Sequence, residues 1–194
     1  DHEKQIYTLL AERFPNIEIS ISSDVLPVFR EYERSMATIM NAMVQPLVGK
    51  YIRQLEDGLA EKQIKAPLFI MKSNGGVFSP QEAARSGAHM ALSGPAAGTN
   101  GAANLGHLCK IEDIITIDIG GTSADISLIR GGKAEIANGT KINDLPLSLA
   151  VTDIHTIGAG GGSIARISDN GAIMVGPKSA GADLVGGDDF IEKI

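Results

Sequence analysis

The chain has 194 residues, of which 43% are hydrophobic and 21% are charged. This length predicts one domain or slightly more, and the composition is close to the globular average, which excludes wholesale disorder. Seventeen basic and 23 acidic residues give a net charge of −6, so neither nucleic acid nor an anionic membrane is expected as a partner. A nucleotide stays compatible with this charge, because backbone amides and a metal ion can hold its phosphates.

Cysteine content and hydropathy restrict the setting of the protein. The single cysteine, Cys109, excludes an internal disulfide and a zinc site with four cysteine ligands. No apolar run approaches the roughly 18 to 20 residues of a membrane span, and the opening DHEKQIYTLL has no signal-peptide region. We therefore expect a cytoplasmic protein.

Glycine divides the chain into two parts. Gly49 and Gly58 precede residue 75, whereas the other 21 of the 23 glycines lie at or beyond it. Such enrichment marks tight turns or close backbone approach. We predict a helical lead-in with one short strand over residues 1–66, followed by a glycine-rich α/β body over residues 67–194, a mixed sheet with flanking helices.

The hydrophobic pattern of the lead-in predicts three elements. These are a helix over residues 3–13, a half-buried strand over residues 17–21, and a long helical segment over residues 28–62. Pro46 lies inside the long segment, which predicts either two helices or a kink near residues 43–44. The apolar stripe of this segment, which includes Met40, Met43, Leu47, Tyr51 and Leu55, predicts a core-facing side.

The body alternates between helices and strands. We predict helices over residues 80–86 and 96–108, and strands over residues 67–71, 113–119, 125–130, 133–137, 147–157, 163–167 and 172–175. Gly131-Gly132 is typical of a two-residue hairpin turn. The strands over 113–137 are expected to form an antiparallel meander, with the helix over 96–108 packed on its face.

One run combines a carboxylate with glycines and hydroxyls. A predicted strand ends at Asp118, and the pair Gly120 and Gly121 and the pair Thr122 and Ser123 follow. Consecutive amides in such a turn form a concavity that binds anions, and a carboxylate can hold Mg²⁺ through water. The pattern therefore indicates a phosphate site, and an ordinary β-hairpin with a glycine turn is the alternative.

A second glycine run follows a later strand. Four glycines fall in five positions, and Ser163 stands where a dinucleotide fingerprint would need glycine; the four are Gly158, Gly160, Gly161 and Gly162. We expect this loop to pass close to a nucleotide or substrate. Asp153 and His155 alternate onto one side of the preceding strand, where they could contact a metal or form a structural hydrogen-bonded pair.

A third run ends the first strand of the body in polar residues. Ser73, Asn74 and Gly75 follow that strand, at the kind of position where open α/β sheets bind ligands. These residues are candidate substrate contacts. An ordinary turn with Asn-Gly chemistry is the alternative.

Together these runs resemble the hydantoinase A and oxoprolinase family. The matching stretches are residues 30–34 (REYER), 71–76 (MKSNGG), 92–96 (LSGPA), 118–125 (DIGGTSAD) and 153–165 (DIHTIGAGGGSIA). The resemblance implies an actin-like, ribonuclease-H-like ATPase fold, in which two halves close over Mg²⁺ and ATP and each gives a glycine hairpin to the phosphates. The turn at residues 120–123 corresponds to the second hairpin.

The resemblance also implies roles for individual residues. Asp118 and Asp125 would be the catalytic carboxylates, with Asp118 on Mg²⁺, and Asp153 and His155 would be further metal or substrate contacts. Residues 120–123 would grip phosphate, and residues 158–162 would lie near the nucleotide or substrate.

Family members open cyclic amides such as hydantoin or 5-oxoproline, or serve ketone carboxylases. Both use ATP to phosphorylate a carbonyl or enolate oxygen. The implied partners are a small cyclic amide and a second hydantoinase or carboxylase subunit. A ketone-carboxylase ATP-binding subunit and a noncatalytic nucleotide-binding module are the alternatives.

Two departures from the family pattern bear on function. The first glycine hairpin of the family, a Gly-Gly-Thr-Phe-Thr-Asp run, has no counterpart here, and residues 184–189 (LVGGDD) replace a Pro-Gly-Pro-Ala-Cys-Tyr run. We therefore expect a central portion of a longer protein or a shortened relative. By itself it should be inactive, because phosphoryl transfer needs both hairpins.

Overall fold

The computed structural model describes residues 2–142 and 144–181; the stretch over residues 184–189 lies outside these ranges. The α-helices are α1 (His2–Arg13), α2 (Ser22–Val25), α3 (Glu31–Glu61), α4 (Pro80–Arg85) and α5 (Ser93–Cys109), and a short 3-10 helix spans Gly87–Met90. The strands are β1 (Ile70–Met71), β2 (Val77–Phe78), β3 (Ile114–Ile119), β4 (Ala124–Arg130), β5 (Lys133–Ala134), β6 (Ile136–Ala137), β7 (Thr140–Ile142), β8 (Leu145–Leu147), β9 (Val151–Thr152), β10 (Ile154–Ile157), β11 (Ser163–Ile167) and β12 (Ile173–Ser179).

The chain forms two compact units. Among the described residues, unit 1 comprises 2–97, 136–142 and 144–152, and unit 2 comprises 98–135 and 153–181. The predicted division at residue 66 separates α3 from segments that it packs against, because Ile52 of α3 shares a buried cluster with Ile70, Phe78 and Ala83.

Helix α3 organises unit 1 and continues through Pro46 as one helix, which excludes the predicted alternative of two separate helices. Met40 packs on a cluster with Val25 and Ala37, and Leu55 packs on the cluster around Ile52. These contacts on both sides of Pro46 hold the helix together, although proline removes one backbone hydrogen bond.

The apolar stripe of α3 is only partly a core face. Met43, Leu47 and Tyr51 are 72%, 72% and 57% exposed, so the expectation that they pack in the core is wrong for this chain. Hydrophobic periodicity identifies the apolar side of a helix, and the chain must supply enough neighbours to cover it.

Residues 17–21 form no strand in the structure, contrary to the alternation of isoleucines. Their two polar residues are instead hydrogen-bonded to α3. The Ser20 hydroxyl donates to Gln45 Oε1 at 2.6 Å, Asn41 Nδ2 donates to Ser20 Oγ at 2.9 Å, and Gln45 Nε2 donates to Glu18 Oε2 at 3.1 Å. The segment therefore satisfies its polar groups through a helix and not through a strand ladder.

Unit 2 contains an antiparallel sheet in the order β10-β4-β3, with β5 also paired to β4. Gly131 and Gly132 both have positive φ, +55° and +73°, as a primed hairpin turn requires. This confirms the predicted meander, although β5 ends at Ala134 and the predicted strand over 147–157 is divided among β8, β9 and β10.

Helix α5 packs on one face of this sheet. Thr99 Oγ1 and Ser127 Oγ are hydrogen-bonded at 2.7 Å, and both residues are buried. Among the described helices, none is long and apolar enough to cross a membrane.

Candidate functional site

The turn between β3 and β4 carries the first candidate residues. The amide of Gly120 donates to the Ser123 carbonyl at 2.8 Å, which closes the turn. A Cβ added to Gly121 would meet no atom within 4 Å, so the space beside its backbone is open. Within the described residues, no backbone acceptor receives the amides of Gly121 and Thr122. Open space lies beside Gly121, whereas Gly160 lies close to the Thr122 nitrogen, so the Gly121 amide has the clearer space for an external anion.

The second glycine run lies directly against this turn. The amide of Gly161 donates to the Gly120 carbonyl at 2.9 Å, and the amide of Gly162 donates to the Gly121 carbonyl at 2.7 Å. A Cβ on Gly160 would lie 2.5 Å from Gly120 O and 2.8 Å from Thr122 N. The structure thus brings the two glycine runs together, and glycine at position 160 is required by close backbone approach.

These hydrogen bonds also indicate the structural role of the second glycine run. The amide of Gly160 donates to Ser163 Oγ at 2.8 Å, so the amides of Gly160, Gly161 and Gly162 are all used inside the protein. They hold the turn in place. Gly158 lies in the same loop, and a Cβ there would meet nothing within 4 Å.

Two carboxylates lie beside the turn. Asp118 pairs with Asp125 in the β3–β4 register, so their side chains project from the same face of the sheet. Within the described residues neither carboxylate forms a salt bridge. Like charges directly opposite each other are destabilising, and a cation between them would relieve this repulsion.

The donor set fits Mg²⁺ held together with phosphates. Mg²⁺ prefers oxygen ligands and is usually bound through one or two carboxylates plus substrate phosphates and water. Asp118 and Asp125 supply the carboxylates, and the open amides of Gly121 and Thr122 lie in the turn that joins their strands.

The other predicted metal residues are placed differently. His155 pairs with Ile126, and because side chains alternate along a strand it lies on the face opposite Asp125. The Asp153 amide donates to the Glu135 carbonyl at 2.8 Å. The described residues contain no group of three or more His, Cys, Asp or Glu that could hold a metal, so the predicted set of Asp118, Asp153 and His155 is not gathered there.

The candidate substrate residues belong to unit 1. The Ser73 hydroxyl donates to the His89 carbonyl at 2.6 Å, and the Asn74 side chain accepts from the Gly76 amide at 3.0 Å. Gly75 has a φ of +81°. These contacts build a tight turn, and Asn74 is exposed in it.

One polar residue at the site was not identified from the sequence. Thr156 pairs with Asp125 in the β4–β10 register, and its hydroxyl donates to Asp125 Oδ1 at 2.6 Å. The sequence signal for Thr156 is its position. It lies two residues before Gly158 and on the side of the strand opposite His155.

The model of the family described as hydantoinase/oxoprolinase matches residues 34–186. The chain belongs to the hydantoinase/oxoprolinase family.

Two members of the family show how small a share of a full-length relative this chain covers. It is 33% identical to caprolactamase subunit alpha of Pseudomonas jessenii, covering 94% of this chain and 26% of that protein. It is 32% identical to 5-oxoprolinase of Saccharomyces cerevisiae, covering 94% of this chain and 14% of that protein. The chain thus spans about a quarter or less of the relatives it matches.

A solved structure establishes the fold class. The nucleotide-free structure of acetone carboxylase, an enzyme of ATP-dependent acetone carboxylation, superposes with a TM-score of 0.70 at 30% identity, covering 92% of this chain and 26% of that one. The chain is α/β and forms part of an actin-like ATPase fold.

Proposed function

We propose that this chain forms the second phosphate-binding half of an ATP-dependent hydrolase that opens cyclic amides of the hydantoin or 5-oxoproline type. The observation that carries the proposal is the pair of hydrogen bonds from Gly161 and Gly162 to the turn at Gly120 and Gly121. They fix a turn whose Gly121 and Thr122 amides have no backbone acceptor among the described residues, beside two carboxylates that form no salt bridge there. The named activities of the family relatives support the reaction class.

In this proposal the chain binds and orients phosphate. The amides of Gly121 and Thr122 and the hydroxyls of Thr122 and Ser123 hold phosphate oxygens, while residues 158–162 keep the turn rigid. Asp118 and Asp125 hold Mg²⁺. The bound Mg²⁺ and ATP supply the phosphoryl group that makes the amide carbonyl reactive and the charge that stabilises its transfer.

The substrate and the partner belong to the same proposal. A small cyclic amide would be held at the turn of residues 73–75, with the Asn74 side-chain nitrogen as a donor to its carbonyl and the buried Ser73 fixing the turn. Asp153 and His155 lie away from the carboxylate pair, and we propose them as substrate contacts in preference to metal ligands. A second hydantoinase- or carboxylase-type subunit is proposed because a relative is named as a subunit alpha.

A second candidate function is the ATP-binding subunit of a ketone carboxylase. It is supported by the structural match to acetone carboxylase at a TM-score of 0.70, whereas the ATP-dependent caprolactamase of Pseudomonas jessenii matches at 0.74 and supports the amide-opening reaction. The glycine turn and the carboxylate pair would serve either reaction, since both begin with phosphoryl transfer to an oxygen.

ATP turnover by the complete protein tests the proposal. Turnover should be stimulated by hydantoin, 5-oxoproline or caprolactam and not by acetone with bicarbonate; the reverse result would support the carboxylase. Gly121→Ala should abolish most of this turnover, because a methyl group would occupy the open space beside the phosphate-binding amides without touching any protein atom.

Gly101→Ala is the matched control. A Cβ at Gly101 also meets nothing within 4 Å, but the residue lies in α5 away from the turn. Equal ATP turnover by both folded variants would contradict the phosphate-site proposal.

A further inference from the structure

Three polar side chains form a row across three neighbouring strands. Asp118 of β3 pairs with Asp125 of β4, and Asp125 pairs with Thr156 of β10. Residues directly opposite in antiparallel strands project from one face. The row therefore lies on one side of the sheet, at its glycine-turn end.

Asp125 has different neighbours on its two sides. On one side Thr156 donates its hydroxyl hydrogen to Asp125 Oδ1 at 2.6 Å. On the other side lies Asp118, a second carboxylate. Hydrogen bonds to ionised groups are short and comparatively strong, so Thr156 restricts the rotation of the Asp125 side chain.

A carboxylate next to another carboxylate would otherwise rotate away from it. Within the described residues, no Lys, Arg or His forms a salt bridge with Asp118 or Asp125. The Thr156 hydroxyl is thus the described contact that fixes the Asp125 carboxylate in orientation. Groups that orient a metal-binding carboxylate affect metal affinity without touching the metal.

We propose that Thr156 is a positioning residue that holds Asp125 for divalent-cation binding at the phosphate turn. The inference rests on the proposed function, because it assigns Asp118 and Asp125 to the cation. It adds a role for β10: the strand carries Thr156 to the carboxylate and two residues later begins the loop that holds the turn.

Mn²⁺ binding to the complete protein tests the role directly. Protein-bound Mn²⁺, which replaces Mg²⁺ and is visible by electron paramagnetic resonance, is measured with saturating adenylyl imidodiphosphate. Thr156→Val keeps the shape but removes the hydroxyl, and it should weaken Mn²⁺ binding about 10-fold. Thr156→Ser keeps the hydroxyl and should bind like the wild type.

Two controls separate positioning from a general structural effect. Thr140→Val changes a strand threonine of unit 1, and should leave Mn²⁺ binding unchanged. The midpoint of urea unfolding should be the same for the wild type and Thr156→Val, because Thr156 is exposed.

Different results would contradict the role of the Thr156 hydroxyl and the cation site itself. Normal Mn²⁺ binding by Thr156→Val, or equal weakening by Thr156→Val and Thr156→Ser, would overturn the role of the hydroxyl. An Asp118→Asn variant tests the site itself: if it binds Mn²⁺ as the wild type does, the cation site at this turn is wrong and the inference fails with it.

Discussion

Gly106 of α5 lies directly against Ile114 of β3. A Cβ at position 106 would overlap Ile114 Cδ1 and would also lie 2.7 Å from the Ile111 carbonyl oxygen. The Gly106 carbonyl accepts the Ile111 amide at 2.8 Å, so the chain reverses at this point from the helix into the strand. The absence of a side chain allows α5 to pack closely on the β3 end of the sheet.

Gly106→Ala should therefore destabilise the protein, although alanine favours helix formation. Overpacking of this kind costs about 1 to 3 kcal/mol in the free energy of unfolding. Gly101→Ala in the same helix meets no atom within 4 Å and should stabilise by roughly 0.5 to 1 kcal/mol. Urea unfolding followed by circular dichroism measures both, and equal effects of the two variants would contradict the packing argument.

The attachment of α1 should be sensitive to acid. The carboxylate of Glu3 accepts hydrogen bonds from the Ser22 hydroxyl at 2.6 Å and the Ser23 amide at 2.9 Å. These bonds, with Arg34 nearby, lower the pKa of Glu3 from 4.5 to about 2. The stabilisation is present above pH 4.5 and is lost as the pH falls through the folded value near 2.

Comparison with Glu3→Gln isolates this contribution. The wild type should be the more stable protein at pH 6, and the difference should shrink as the pH falls from 4.5 towards 2. Urea unfolding across this range is the measurement. A difference that stays constant with pH would show that the ionised carboxylate is not what holds α1.

His89 should make unit 1 less stable below neutral pH. Burial lowers the pKa of His89 below 6.5, opposed by the contact of its Nε2 with the Val25 carbonyl at 3.2 Å. The unfolded chain then binds the proton more tightly, so stability is complete above pH 6.5 and falls as the pH decreases through the folded value.

The uncharged variant His89→Gln provides the comparison. Between pH 7 and pH 5 it should lose less stability than the wild type in urea unfolding, because it has no proton to bind at this position. Parallel loss of stability in both proteins would rule out His89 as the cause.

The sequence predicted the elements whose signals are local. The alternation over β3 and β4 and the Gly131-Gly132 turn depend on neighbours in the chain, and the structure confirms them. The sequence predicted that the two glycine runs lie near each other only because both were expected to contact the same ligand. The direct hydrogen bonds from Gly161 and Gly162 to the turn depend on the β10–β4 register, which residue types do not specify.

What the sequence did not predict depended on tertiary neighbours. Asp153 and His155 were expected to share one side of a strand, but Asp153 lies between β9 and β10. Which side of β10 faces Asp118 is decided by register, and Thr156 is the residue on that side. The exposure of Met43 likewise depends on which segments cover α3, and periodicity contains no information about that.

Thr122 should contribute directly to phosphate binding in the complete protein. Its hydroxyl is exposed beside the open amides of the turn, and we expect it to donate to a phosphate oxygen. A hydrogen bond to a charged group contributes about 1.5 to 3 kcal/mol, so Thr122→Val should lower kcat/KM for ATP by roughly 10- to 150-fold. Extra Mg²⁺ should not restore this loss, because the variant removes a phosphate donor and no metal ligand.

Asp118→Asn should respond in the opposite way to Mg²⁺. It removes a charge that holds the cation, so its larger loss of ATP turnover should be partly recovered as the Mg²⁺ concentration rises. Steady-state ATP turnover measured against Mg²⁺ for both variants, after circular dichroism shows that each is folded, separates the two roles. If Thr122→Val were the variant rescued by Mg²⁺, or if both kept wild-type turnover at low Mg²⁺, the assignment of donor and metal ligand at this turn would be wrong.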